Sequence, residues 1–422
     1  MARFLFATWE GGGHVQPMVL VARGLMDLGH QVLLLSDAIN AGDCAAFGVP
    51  FQTWRRAPSR SDRAPESDPI QDWLAATPLE TIERLCDRIV CGPAALYGLD
   101  AADAIEAFSP QVVVCHELLF GVMAAAEARD VRLAVLAANV WSLPTLEQAP
   151  PFGGGLPPPR TAFDFELYGR LRKATRQAFQ CGLPALNAAR GTLGLGPLAD
   201  IFQQLNAAGR ILLATSRAFD FDQALPLPFA YVGPYLADPQ WTEDWTSPWP
   251  ATDPRPLVLV SFSTMYQGQE AALRRVIEAL GGLDVRAVVT LGPSLAPESF
   301  ATPPNVAVAA RAPHGPVLPL ASAVVTHAGH ASALRPLMAG VPVVALPLGR
   351  DQPDNAQRIV ERGAGVRLPP DARPDEIAEA VRAVLSDPSY RAAATAIGAR
   401  IAAEAAGRSA ERELIALAEE TP

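Results

Sequence analysis

Two short runs combine anion-binding and hydroxyl-binding groups: Thr326-His327-Ala328-Gly329-His330-Ala331-Ser332-Ala333-Leu334-Arg335 and Leu348-Gly349-Arg350-Asp351-Gln352. The apolar stretch 323–327 reads as a buried strand and 331–339 as a helix, which puts Gly329, Ala331 and Ser332 at a helix N-terminus. Backbone N–H groups there lack intrahelical partners, and the helix dipole favours negative charge. The imidazole of His327 and the hydroxyl of Ser332 add donors of the kind a diphosphate accepts. After a second strand over 341–346, Asp351 and Gln352 set acceptor and donor groups side by side at the strand's C-terminal end, where open α/β sheets bind ligands. A third run, Glu10-Gly11-Gly12-Gly13-His14, follows a strand over 3–8 and opens a helix over 15–28. Its glycines let backbone approach a ligand closely, and Pro17 falls in the first turn, where its missing N–H costs nothing.

These runs need a scaffold that delivers strand ends to one place. Strand 3–8, helix 15–28 and strand 31–36 make one βαβ unit, and 112–115, 119–129 and 131–136 repeat the pattern. The stretch 225–256, rich in Pro, Trp and Asp, reads as an interdomain linker. The alternation then restarts with strand 257–262, helix 269–280 and strand 285–291, followed by the 326–352 region and helices to the end. Two alternating halves imply two doubly wound, Rossmann-like parallel-sheet domains facing a central cleft. The expected division is 1–224, linker 225–256, 257–400, and a C-terminal helix over 401–422 that packs back on the first domain. The loop-like segments 54–72 and 139–160 are assigned to the acceptor side of the cleft.

Composition narrows the function classes. At 422 residues, half of them hydrophobic, the chain is long enough for two cores. A formal charge of -10 argues against a nucleic-acid or anionic-membrane partner. Five cysteines (Cys44, Cys86, Cys91, Cys115 and Cys181) show no Cys-x-x-Cys spacing, as expected of reduced thiols in a cytoplasmic protein. No leader pattern or membrane span is expected. Lys173 is the only lysine among 34 basic residues, a bias read as GC-rich bacterial coding.

The segment 311–352 resembles the donor-binding signature of inverting, nucleotide-sugar-dependent glycosyltransferases of the GT-B fold, which act on macrolides, enediynes, flavonoids and similar natural products. The resemblance implies that His327 and Ser332, with Gly329, Ala331 and Gly13, contact the donor diphosphate, and that Asp351 and Gln352 bind sugar hydroxyls. It makes His14 the general base that takes the acceptor's proton, a role that an ordinary imidazole suits at neutral pH. Ser263 and Thr264 fall where the family places small hydroxyl residues on the diphosphate. Arg311, Ala312 and His314 fall at the nucleoside, and Arg335 stands where many members carry a Glu for the ribose hydroxyls. A guanidinium cannot accept those hydrogen bonds, which favours dTDP- over UDP-sugars. The carboxylate that orients the base in the family is replaced here by His116, with Glu117 next in sequence. Three readings follow: Glu117 as partner of His14, His116 as partner, or no partner.

The implied activity is transfer of a sugar to a hydroxyl of an apolar acceptor by a monomer or homodimer, with no cofactor beyond the dTDP- or UDP-sugar and no metal. Rival readings are an epimerase or hydrolase of the same fold, and a silent auxiliary protein motivated by the replaced Asp. Asp220-Phe221-Asp222 imitates a metal-binding Asp-x-Asp but reads as a turn. Gly11 to Gly13 with Asp37 imitates a dinucleotide fingerprint, yet Gln16 stands in the third glycine's place.

Overall fold

A computed structural model describes residues 1–237, 246–262, 265–292, 295–310 and 314–420. The first half comprises β1 (Arg3–Ala7), α1 (Val15–Asp27), β2 (Gln31–Ser36), α2 (Ala41–Ala46), β3 (Phe51–Thr53), α3 (Pro78–Leu85), α4 (Ala94–Phe108), β4 (Val112–Cys115), α5 (Phe120–Ala128), β5 (Arg132–Ala137), α6 (Ala162–Phe179), α7 (Leu183–Thr192), β6 (Ala208–Leu213) and β7 (Phe229–Tyr231). The second comprises β8 (Leu257–Ser261), α8 (Glu270–Gly281), β9 (Arg286–Thr290), β10 (Val306–Ala309), α9 (His314–Val317), β11 (Ala321–Thr326), α10 (His330–Met338), β12 (Val343–Ala345), α11 (Gln352–Glu361), β13 (Gly365–Arg367), α12 (Pro374–Ser386), α13 (Pro388–Ala406) and α14 (Ser409–Glu419).

Both sheets are parallel throughout, with orders β3-β2-β1-β4-β5-β6-β7 and β10-β9-β8-β11-β12-β13. Strands covered on both faces must be apolar on both, and β1 shows it: Phe4 and Phe6 enter one core, Leu5 and Ala7 the other. In each sheet the chain reverses its winding beside a central pair, β1 with β4 and β8 with β11. Crevices at the C-terminal ends of such pairs are where this architecture binds ligands. His14 follows one pair and His327 the other.

The segment 225–256 contributes more than a connection, because Phe229–Tyr231 adds a seventh strand beside β6. The helices to the end are interrupted by β13, which pairs with β12. At the C-terminus, Ala410, Leu414 and Leu417 of α14 share a core with Phe4, Phe6 and Val112 of the first sheet. Among the described residues no helix is long and apolar enough to cross a membrane.

Helices α4 and α5 cross so closely that a Cβ on Gly121 would lie 2.0 Å from the carbonyl oxygen of Ala94. Backbone must move to admit it. Overpacking of this kind costs roughly 1–3 kcal/mol, so Gly121→Ala is expected to lower the urea midpoint by the equivalent of about 1–3 kcal/mol. An unchanged midpoint would show that the crossing has slack.

Candidate active site at the interdomain cleft

The turn between β1 and α1 is tied by its own side chains. Glu10, 1 % exposed, accepts from the Gly12 N–H at 3.1 Å and pairs with Arg63 at 3.2 Å. Both Asp37 oxygens are taken by backbone N–H groups, those of Glu10 at 2.9 Å and Arg60 at 2.8 Å. A carboxylate so engaged is not available to a cofactor ribose, and the dinucleotide reading loses its acid. His14 forms the N-cap of α1. Its ring lies against Trp9 and against His116, with centroids 5.6 and 4.5 Å away. Its Nδ1 is buried and has no hydrogen-bond partner among the described residues. Burial, and secondarily the charge of Arg350, lower its pKa to about 4, well below the ordinary value expected from sequence.

His116 and Glu117 lie just beyond the end of β4. His116 packs beside His14 at the position the sequence resemblance gives to the carboxylate. Its Nδ1 accepts from the Leu118 N–H at 3.2 Å, so Nε2 carries the proton and faces Glu117 Oε2 at 3.2 Å. The two atoms approach without a well-formed hydrogen bond, so only Nδ1 of His116 is committed, and its ring lies against that of His14. Glu117 is re-aimed by the turn, but toward His116 and the Ser142 hydroxyl at 3.4 Å, and not toward His14. Burial pushes the Glu117 carboxyl up to about 8, with Asp351 across the cleft adding to the rise. Of the three readings, the geometry fits a stack without a carboxylate on His14.

The second-domain turns face this group. Ala328 takes a left-handed conformation (φ 63°) after β11, and its N–H reaches the Thr326 hydroxyl at 3.2 Å. Gly329 caps α10; a Cβ there would lie 2.5 Å from His327 Nε2, so only glycine leaves room for this imidazole. Ala331 and Ser332 occupy the first turn of α10 and are partly exposed. Asp351 joins the two signature turns: it accepts from the His330 N–H at 3.2 Å and from Asn355 Nδ2 at 2.8 Å. Gln352 is 1 % exposed, its oxygen holding the N–H groups of Leu348 and Gly349 and its nitrogen reaching Gln267 at 2.5 Å. Gly13 is exposed at the rim, and His314 starts α9. Ser263, Thr264, Arg311 and Ala312 lie outside the described residues.

Arg335 does not turn outward; its guanidinium donates to the Ala237 carbonyl and to Gln16 Oε1, joining α10 to α1. The His330 ring contacts Thr215 beyond β6 at 2.8 Å. Asp220, 1 % exposed, accepts from Tyr231 at 2.8 Å and pairs with Arg358 at 2.6 Å, while Asp222 is 92 % exposed. Burial alone would raise the Asp220 carboxyl, but Arg358 and Tyr231 outweigh it and hold it below its ordinary range. The Asp-x-Asp run is thus an interdomain anchor, and among the described residues no group of three His, Cys, Asp or Glu is placed to hold a metal.

Three residues with large roles were not singled out from sequence. Arg350, itself left-handed (φ 59°), is near enough to both His14 and His327 for its charge to add to the lowering that burial causes in each. Asp72 grips it through two hydrogen bonds of 2.7 Å, with Asp68 at 3.6 Å. Asp354 accepts from the N–H groups of Gly153 and Gly155 at 2.6 and 2.7 Å. Both loops assigned to the acceptor side therefore also clasp the second domain. Two surface grooves, of about 560 Å³ beside α6 and about 430 Å³ beside α8, contain none of these residues.

Comparison with known proteins bears on the fold and on the class of enzyme. Residues 274–418 match the family described as erythromycin biosynthesis protein CIII-like, C-terminal domain. The chain is 29 % identical to 4'-demethylrebeccamycin synthase of Lentzea aerocolonigenes over 99 % of both chains. It is 27 % identical to demethyllactenocin mycarosyltransferase of Streptomyces fradiae, over 93 % of this chain and 81 % of that one. Among solved structures, the kitacinnamycin glycosyltransferase superposes with a TM-score of 0.78 at 20 % identity over 99 % of both chains. The calicheamicin glycosyltransferase CalG4 gives 0.74 at 21 % identity over the whole of both, a likeness that speaks to fold. With residues 274–418 matched to that family, its full length similar to natural-product enzymes and its two parallel sheets folded as those of the solved structures are, the chain has the GT-B fold and resembles natural-product glycosyltransferases along its length.

Proposed function

We propose that this glycosyltransferase moves a sugar from a nucleoside diphosphate to a hydroxyl of an apolar natural-product aglycone, with inversion and without a metal. The observation that carries the reading is the placement of neutral His14 at one sheet's switch point, opposite His327, Arg350 and the N-terminus of α10 at the other. In such a cleft His14 Nε2 takes the acceptor's proton as its oxygen attacks the anomeric carbon, and the diphosphate departs from the opposite face. The charge that develops on the diphosphate meets the dipole of α10, the His327 and Ser332 donors and the Arg350 guanidinium, which together supply the positive field a metal would otherwise provide. Asp351 is left to accept from sugar hydroxyls. Its carboxyl is raised by burial, so it binds as a hydrogen-bonding group more than as a bare charge.

The test is an assay with nucleotide sugars and a panel of polycyclic and macrolide hydroxyl acceptors, read by mass and by the anomeric configuration of the product. Inverted product formed equally well in EDTA supports the reading; retention, or loss in EDTA restored by magnesium, would overturn it. The silent-auxiliary reading keeps one observation in its favour, the absence of a carboxylate on His14. It requires that sugar nucleotides bind, as a thermal shift, with no turnover.

Donor choice is part of the proposal. Arg335 has donors only and is spent on Ala237 and Gln16, so nothing at its position accepts from a ribose 2′-hydroxyl. A thymidine diphosphate sugar is expected to compete at least equally with the uridine counterpart. A strong uridine preference, unchanged in Arg335→Glu, would show that this residue does not bear on the ribose.

A further inference from the structure

Cys86, Cys91 and Cys181 are far apart in sequence, yet the fold gathers them at the C-terminal end of α6. Cys86 opens a turn of π-helix (Cys86–Val90) that continues α3, and Cys91 caps it. Cys181 lies in the turn Gln180–Gly182 between α6 and α7. The Cys86 thiol faces the Phe179 carbonyl at 3.9 Å, two residues before Cys181, and is near enough to the Cys181 thiol for that sulfur to bear on its ionisation. On the other side, a Cβ on Gly182 would lie 2.6 Å from Cys91 Sγ. Cys181 is therefore bracketed by two thiols that are each 1 % exposed, while it is itself open to solvent.

One accessible thiol beside a sheltered thiol is the arrangement that thiol–disulfide exchange uses, an entry sulfur and a resolving sulfur. We propose that Cys181 and Cys86 form a reversible dithiol–disulfide site whose reactant is a small disulfide of the glutathione class. Cys181, as thiolate, attacks one sulfur of oxidised glutathione, forming a mixed disulfide and releasing one glutathione thiolate. Cys86 then loses its proton and attacks the Cys181 sulfur, displacing the second glutathione thiolate. The two protons lost by the protein are taken up by the two departing thiolates. Two protein thiols are oxidised by two electrons and one glutathione disulfide is reduced to two thiols. Cys86 resolves in preference to Cys91 because its thiol faces the last turn of α6, which leads directly into Cys181, whereas Cys91 meets the Gly182 backbone beyond it. Burial raises the pKa of both sheltered thiols, so entry belongs to Cys181 and the second step is the slower. The new bond would staple the segment between α3 and α4 to the turn between α6 and α7.

The test uses the full chain, reduced in the absence of air, then incubated with oxidised glutathione, acid-quenched, alkylated and mapped by mass spectrometry. Free thiols are expected to fall from five to three, with a Cys86–Cys181 linked peptide that dithiothreitol reverses. Cys91→Ser is expected to form the same link, Cys86→Ser to stop at a glutathione adduct on Cys181, and Cys181→Ser to stay reduced. A natural chain that keeps all its thiols, stops at the adduct, or links through Cys91 would overturn the proposal.

Discussion

A His14→Ala variant is expected to turn over about two to four orders of magnitude more slowly than the natural protein, the range a general base supplies, while binding the nucleotide donor nearly unchanged. The pH profile distinguishes a base from a merely packed ring. His14 is lowered from an ordinary 6.5 to about 4, mainly by burial, and its neutral form is the active one. Because kcat/KM reports the free enzyme, it is expected to hold its plateau through the neutral range and to fall only as pH approaches about 4. Donor binding adds negative charge to the cleft, which favours the imidazolium, so the acid limb of kcat lies at higher pH than that of kcat/KM. On the proposed reading, the donor thus raises the basicity of the group that acts on the acceptor. An alanine variant with undiminished turnover would remove His14 from the chemistry, and a kcat/KM limb near 6.5 would contradict its burial.

Much of this arrangement was legible because it is local. The helix after Glu10-Gly11-Gly12-Gly13-His14, the strand before His327 and the helix after Gly329 each announce themselves by apolar runs and a glycine break, and α1, β11 and α10 fall where those signals put them. Strands β3, β7 and β13 are three residues each, and their partly exposed residues leave no continuous apolar run to mark them. What joins the halves was not legible at all. The partners Asp72 and Arg350 are separated by 278 positions, and Gly153 and Asp354 by 201; no spacing rule reaches so far. The orientation of Glu117 was equally hidden, since it depends on how a two-residue turn beyond β4 redirects a side chain toward His116. The ordinary basicity expected of His14 fails for a related reason: a pKa shift by burial needs the neighbours, and these are Trp9 and His116 brought from separate turns of one domain and Arg350 from the other.

Arg350→Met is expected to weaken donor binding by about ten- to a hundredfold, since a hydrogen bond to a charged group contributes about 1.5–3 kcal/mol and 1.4 kcal/mol is tenfold in affinity. Its guanidinium, held by Asp72 at 2.7 Å, is the cation that acts on both His14 and His327. On the proposed reading, a donor diphosphate bound beside those rings competes with Asp72 for it. Two further readouts separate this role from that of a plain interdomain strut. Removing the positive charge raises the pKa of His14, so the acid limb of kcat/KM moves to higher pH; a strut would change the melting temperature and leave the limb in place. Asp72→Asn loosens the same clasp while keeping the cation, so donor affinity is expected to hold or rise and the limb to move, if at all, to lower pH. Equal losses of donor affinity in both variants, with neither limb displaced, would mean that the clasp only holds the domains together and that the diphosphate finds its charge elsewhere.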